Sequence, residues 1–275
     1  MAPNQAANAA LGSAVYRSQA SGVPPRPALA GRRTAREGTM TVDAASGEVL
    51  AGTLSDVYVY EAPVRVWHWV MMIAMVVLVA TGYLIGSPWS GPSRQATFTY
   101  FFGNIRMIHF LAAAVFFVAF VVRLYWAIAG NHHARSIFIP PVWSGSWWSG
   151  MFRQGLYYVF LKKESPLWIG HNPLAQFAMF AMYVLGSIVI ILTGLELYSE
   201  QYGWGSMWMN LFGWVSVLLG GSQMVRTVHH FAMYYLLIFA LIHMYMVLRE
   251  DVMSGESVVG TMINGLRTFK PGSKP

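Results

Sequence analysis

The chain has 275 residues, of which 56% are hydrophobic and only 11% charged, with a mean hydropathy of +0.46. A soluble domain carries about 25% charged residues, so this composition excludes an ordinary soluble domain and points to a bilayer, where 15% aromatics and 11 tryptophans suit interfacial belts. The net charge of +7 does not indicate nucleic acid, because the cations flank apolar runs instead of forming a basic patch, and the absence of cysteine excludes cysteine-ligated iron–sulfur clusters and thioether-attached haem.

Residues 1 to about 55 are rich in Ala, Gly, Ser, Pro and Arg and show no hydrophobic period, so they are expected to be a disordered cytoplasmic extension. No acid precedes Glu37, a composition like that of a transit peptide. Arg32–Arg33 is a twin arginine with no apolar stretch close behind it, and Met40 is a conceivable alternative start. Four apolar segments follow, each near the ~20 residues a spanning helix needs: about 64–85, 105–128, 173–197 and 226–248. Pro173 suits the first turn of the third. Between the second and third lies the connection 129–172, whose part 147–163 mixes aromatics with Arg153, Lys162 and Lys163 and suits a helix or loop on the membrane surface. Residues 256–275 read as a tail.

Most Lys and Arg lie before Arg65, in the connection 129–172 and in the tail, whereas the other two connections offer only Arg94, Arg106 and Arg226. Cations favour the cytoplasmic side. Both termini are therefore expected in the cytoplasm, with segments one and three running outward.

Three arginines stand three residues before a histidine: Arg65–His68, Arg106–His109 and Arg226–His229. Residues i and i+3 share a helix face, so each arginine lies about a turn nearer water than its histidine. Intramembrane histidines are rare and functional by default. Direction and depth place His109 with His229 near the outer face, and His68 with His243 near the inner face. His229 and His243 are fourteen residues apart; at 100° and 1.5 Å per residue they point within about 40° of each other, about 21 Å apart along the axis. His230 points about 140° from His243 by the same geometry, so His229 is the preferred ligand. Imidazole is a good axial donor to haem iron, and two of them leave no open position, which suits electron transfer. The arginines stand where they can meet propionates.

Each of these residues also has a plainer reading. One histidine could simply hydrogen-bond between helices; four at two matched depths favour ligation. His132 and His133 read as solvated, His230 as a packing residue, and His171 as a helix-start contact or a neighbour of a propionate or quinone. Arg123 either snorkels or meets an inner propionate. Thr81-Gly82 and Thr193-Gly194, near the ends of segments one and three, hint at an internal repeat, with close helix packing as the preferred explanation.

The stretch Arg65-Val-Trp-His68-Trp-Val-Met-Met-Ile-Ala, running on to Thr81-Gly82, resembles the first-helix signature of the b-type cytochrome subunits of membrane-bound nickel–iron hydrogenases. Arg226-Thr-Val-His229-His230-Phe-Ala-Met-Tyr234-Tyr, running on to Phe239 and His243, resembles their fourth-helix signature. The family usually has Trp where Tyr234 stands and an aliphatic residue where Phe231 stands. Gly170-His-Asn-Pro-Leu and the aromatic stretch 147–161 are also similar, and the resemblance covers about residues 55–255. It implies an all-α, four-helix membrane domain at 56–255 holding two haems b, with His109/His229 as the outer pair and His68/His243 as the inner pair. It further implies a place in a bacterial inner membrane. The partners would be a small iron–sulfur subunit, which adds a transmembrane helix, and a large nickel–iron subunit that cleaves hydrogen; quinone would accept the electrons. A dimer of complexes is a family-level expectation. The same residues leave two alternatives open: an equivalent subunit of another dehydrogenase, such as formate dehydrogenase, and a non-redox anchor or transporter using histidines as proton relays. By depth, the quinone is expected around His68, Arg65, His171 and the aromatic connection.

Overall fold

The computed structural model describes residues 41–42, 49–51, 56–88, 100–163 and 168–268; Arg32–Arg33, Glu37, Met40 and Arg94 lie outside them. Four helical stretches are long and apolar enough to cross a membrane: Ala62–Gly86, Phe101–Ala129, Pro173–Tyr202 and Ser222–Ser254. Each matches an expected segment and runs beyond it at both ends or at one. We label Ala62–Gly86 α1 and Phe101–Ala129 α2. The next two helices are short and polar-ended, α3 (His132–Arg135) and α4 (Gly145–Tyr158). The third span comprises α5 (Pro173–Ala178), a π-helical turn at Met179–Val184, α6 (Leu185–Ser199) and a closing turn at Glu200–Tyr202. Then come α7 (Met207–Phe212), α8 (Trp214–Leu219), the long α9 (Ser222–Ser254) and α10 (Val258–Asn264).

Local chemistry sets the helix starts. Asn172 accepts a hydrogen bond from the Ala175 amide while Pro173 occupies the first turn, and Asn131 caps α3 through the Ala134 amide. Gly255 takes φ +62 to end α9. The spans pack as two antiparallel pairs, α1 with α2 and α6 with α9. At most 28% of any span's apolar window is buried, so most of that surface is left for lipid. Midway along the bundle, Met71, Ala74, Phe116, Phe120, Tyr183, Val184 and Phe239 form one apolar core.

At the end where α1 begins and α9 finishes, the fold differs from the sequence reading. Residues 256–268 are not a loose tail: α10 leads into β4 (Leu266–Thr268), which pairs antiparallel with β3 (Asp56–Tyr58). Arg267 on β4 ion-pairs with Glu256 at 2.9 Å, both largely buried. The Trp69 indole donates to the Met262 carbonyl at 3.2 Å, tying α10 to α1. Upstream, β1 (Thr41–Val42) pairs with β2 (Val49–Ala51) inside the stretch expected to be irregular. Strands of two or three residues are too short to show a hydrophobic period, and β3 and β4 are more than 200 residues apart in sequence. α4 occupies the expected surface stretch, with Trp148 and Phe152 exposed along it. It is clamped to α9 by Arg249, whose guanidinium lies 5.0, 5.2 and 5.3 Å from the ring centres of Tyr157, Tyr158 and Phe160.

Candidate functional site

The histidines gather at two levels. At one, the Thr81 hydroxyl of α1 lies 2.7 Å from the Val77 carbonyl and 2.8 Å from His109 Nδ1 of α2. At the same level of the other pair, the Thr193 hydroxyl of α6 lies 2.7 Å from the Val189 carbonyl and 2.9 Å from His229 Nδ1 of α9. A hydroxyl has one hydrogen, and a carbonyl can only accept. Each threonine therefore donates to its own helix and accepts from histidine. Both imidazoles must then carry their proton on Nδ1, which leaves the Nε2 lone pair free for a metal. The glycine after each threonine makes room for the ring: a Cβ on Gly82 would sit 3.3 Å from His109 Cε1, and one on Gly194 would sit 3.1 Å from His229 Cε1. The Thr-Gly repeat is thus more than a packing device. Nothing in the sequence marks Thr81 and Thr193 as partners of histidine beyond their matched depths in the first and third spans.

At the second level, His68 of α1 faces His243 of α9, with ring centres 6.4 Å apart. His68 Nδ1 is buried with no hydrogen-bond partner. His243 stacks on Phe239 at 5.7 Å, and Trp69 meets the His68 ring edge-on at 5.5 Å. Two imidazoles bonded at about 2 Å to opposite sides of one metal have ring centres about 6 Å apart, so this pair has the spacing of two axial ligands. Among the described residues, no three His, Asp or Glu side chains converge as they would around a bare ion. Histidines meeting in twos suit a planar chelate that supplies the remaining donors itself. The donor set fits haem.

The arginines of the three pairs are placed differently from one another. Arg65 donates to the Ile263 carbonyl of α10. Arg226 pairs with Glu200 at 2.6 Å, the two side chains 49% and 23% exposed. Arg106 is exposed on α2. His230 turns away from Thr193: its Nδ1 bonds the Arg226 carbonyl at 2.9 Å, and its ring lies over Gly86 at the end of α1.

His171 lies just before α5, and its Nδ1 is 2.9 Å from the Tyr60 hydroxyl. Burial, reinforced by the nearby His243, His133, Arg123 and His68, lowers its pKa to about 3. His133 is not solvated as expected. Its ring packs where a Cβ on Gly170 would fall, Gly170 having φ +80, and burial together with His132 lowers its pKa to about 4. His132 is exposed, as expected. At the Thr193 end a cleft of about 540 Å³ is lined by Glu196, Glu200, Trp204 and Ser216; none of the four histidines lines it.

A family model described as prokaryotic cytochrome b561 matches residues 59–265. A protein of Azotobacter chroococcum named "Probable Ni/Fe-hydrogenase B-type cytochrome subunit" is 47% identical over 214 residues, 78% of this chain and 89% of its own. A protein of the same name from Cupriavidus necator is 46% identical over 226 residues, 82% of this chain and 91% of its own. The Escherichia coli K12 "Probable Ni/Fe-hydrogenase 1 B-type cytochrome subunit" is 44% identical over 220 residues, 78% of this chain and 92% of its own.

Proposed function

Because the chain belongs to the prokaryotic cytochrome b561 family, we propose that it is the di-haem membrane subunit that carries electrons from a nickel–iron hydrogenase to quinone. The observation that carries this reading is His68 facing His243 at one level of the bundle, with His109 and His229 each oriented by a threonine at the other. The relatives' names supply the hydrogenase.

In this reading His109 and His229 would hold one haem b, and His68 and His243 would hold the second. Haem b, when bound, would supply a one-electron carrier. The chain's own residues do the rest. Thr81 and Thr193 hold the imidazole protons on Nδ1 and orient the rings. Gly82 and Gly194 admit the rings against the helix backbone. Met71, Phe116, Phe120 and Phe239 keep water out between the levels. The fourteen residues from His229 to His243 separate the levels by about 21 Å along α9.

The distribution of Lys and Arg supports the orientation: the His68 level lies toward the cytoplasm of a bacterial inner membrane, and the His109 level lies outside, where the hydrogenase's iron–sulfur and nickel–iron subunits dock. Quinone then takes electrons near the His68 level, close to His171 and Tyr60.

The test is a dithionite-reduced minus oxidised spectrum with a pyridine haemochrome count, followed by hydrogen reduction of the complex. Two b haems per chain, both reduced by hydrogen, are expected. His243→Ala should keep partner docking and a hydrogen-reducible outer haem while abolishing quinone reduction. Normal quinone reduction in that variant, or a folded protein that takes up no haem, refutes the proposal.

A further inference from the structure

Arg123 of α2 is 2% exposed. Its Nη2 donates to the Ala134 carbonyl at 2.6 Å, but its Nε and Nη1 are buried and without a hydrogen-bond partner. Among the described residues no carboxylate pairs with it. The rings of Trp67 and Phe138 lie 5.1 and 5.0 Å from its guanidinium carbon. Aromatic faces stabilise a cation, yet they offer nothing to in-plane N–H donors. Arginine stays charged inside proteins, and a buried cation with unmet donors is costly unless an anion completes it.

Its position indicates which anion. Trp67, under the guanidinium, immediately precedes His68, whose ring faces His243 at 6.4 Å. His109 is fourteen residues back along α2, about 21 Å away. Of the arginines nearer the helix ends, Arg226 pairs with Glu200, Arg106 is exposed, and Arg65 donates to the Ile263 carbonyl and keeps one unmet donor, Nε, against the two of Arg123.

We propose that Arg123 is the anion-binding residue of the His68–His243 level, its unmet N–H donors taking a carboxylate of the porphyrin held there. The proposal rests on the di-haem reading above. A guanidinium suits a carboxylate because several donors in one plane meet two acceptor oxygens, and the low dielectric around Trp67 and Phe138 strengthens the contact.

The test uses the full chain with its hydrogenase partners. Arg123→Gln and Arg123→Lys are compared with wild type by haem count and by potentiometric titration, with His243→Ala identifying which haem belongs to this level. Arg123→Gln should lower the midpoint potential of that haem alone, since a lost positive charge favours the ferric form, and Arg123→Lys should restore most of it. Unchanged potentials with both haems retained overturn the proposal. A second measurement needs no variant: wild type stripped of haem is reloaded with protohaem or with its dimethyl ester, which has no free carboxylates. The ester should fill the His68–His243 level about tenfold less well, as befits loss of an outer-shell partner. Equal uptake overturns the proposal even if Arg123→Gln does not accumulate. Fewer than two haems in the wild type defeats the di-haem reading itself, and the proposal with it, before any variant is compared.

Discussion

Replacing Thr81 with valine removes one hydroxyl and keeps the side chain's branched shape, so it isolates the bond to His109. In the wild type that hydroxyl accepts from Nδ1–H at 2.8 Å while donating to Val77 at 2.7 Å. In Thr81→Val the Nδ1–H of a half-buried ring faces a methyl group. Leaving such a donor unmet costs about 1–3 kcal/mol. Losing an outer-shell partner of a metal-bound histidine costs about 10–100-fold in affinity, which is about 1.4–2.7 kcal/mol; the two estimates agree. The variant should therefore release the His109–His229 haem about 10–100-fold more readily, measured as haem transferred to excess apomyoglobin over time. The haem that remains bound should titrate at a more positive potential, because a ring that no longer donates from Nδ1 is a poorer electron donor to ferric iron. Thr81→Ser, which keeps the hydroxyl, should restore both. A variant with wild-type haem retention and wild-type potential would refute the tautomer argument, as would an effect confined to the His68–His243 haem.

Gly194→Leu should eject the His109–His229 haem, leaving one b haem per chain by pyridine haemochrome, because a Cβ alone already comes within 3.1 Å of His229 Cε1. Arg267→Ala leaves Glu256 buried without its 2.9 Å partner and should cost about 3–5 kcal/mol, read as a lowered thermal midpoint with the spectrum of the remaining folded protein unchanged. His171 and His133, with pKa values lowered from 6.5 to about 3 and about 4, bind their protons more readily once unfolded. Stability should therefore be full above pH 6.5 and fall as pH drops from there toward 4 and below. His171→Gln should flatten that slope in a series of thermal melts; an unchanged slope would show that His171 is not kept neutral by the fold.

Much of this was written in the sequence. Apolar length marked the four spans, because a helix in lipid must satisfy its own backbone and so declares itself by composition alone. Helical periodicity put His229 and His243 on one face, since angle and rise accumulate from local geometry. Contacts between helices are another matter, because residues distant in sequence meet there by packing. Only the tertiary structure distinguished Thr81 and Thr193 as the hydroxyls that orient histidines, where the sequence suggested helix packing. It engaged Arg226 with Glu200 and left Arg123 buried with unmet donors, a distinction that depends on what each guanidinium finds around it. It also folded residues 256–268 back, against β3 by backbone pairing and against α1 through the Trp69 indole, contacts between residues so distant in sequence that they leave no local pattern. The chain's local physics determines the helices and the spacing of their ligands; which polar group completes which is decided when the two helix pairs come together.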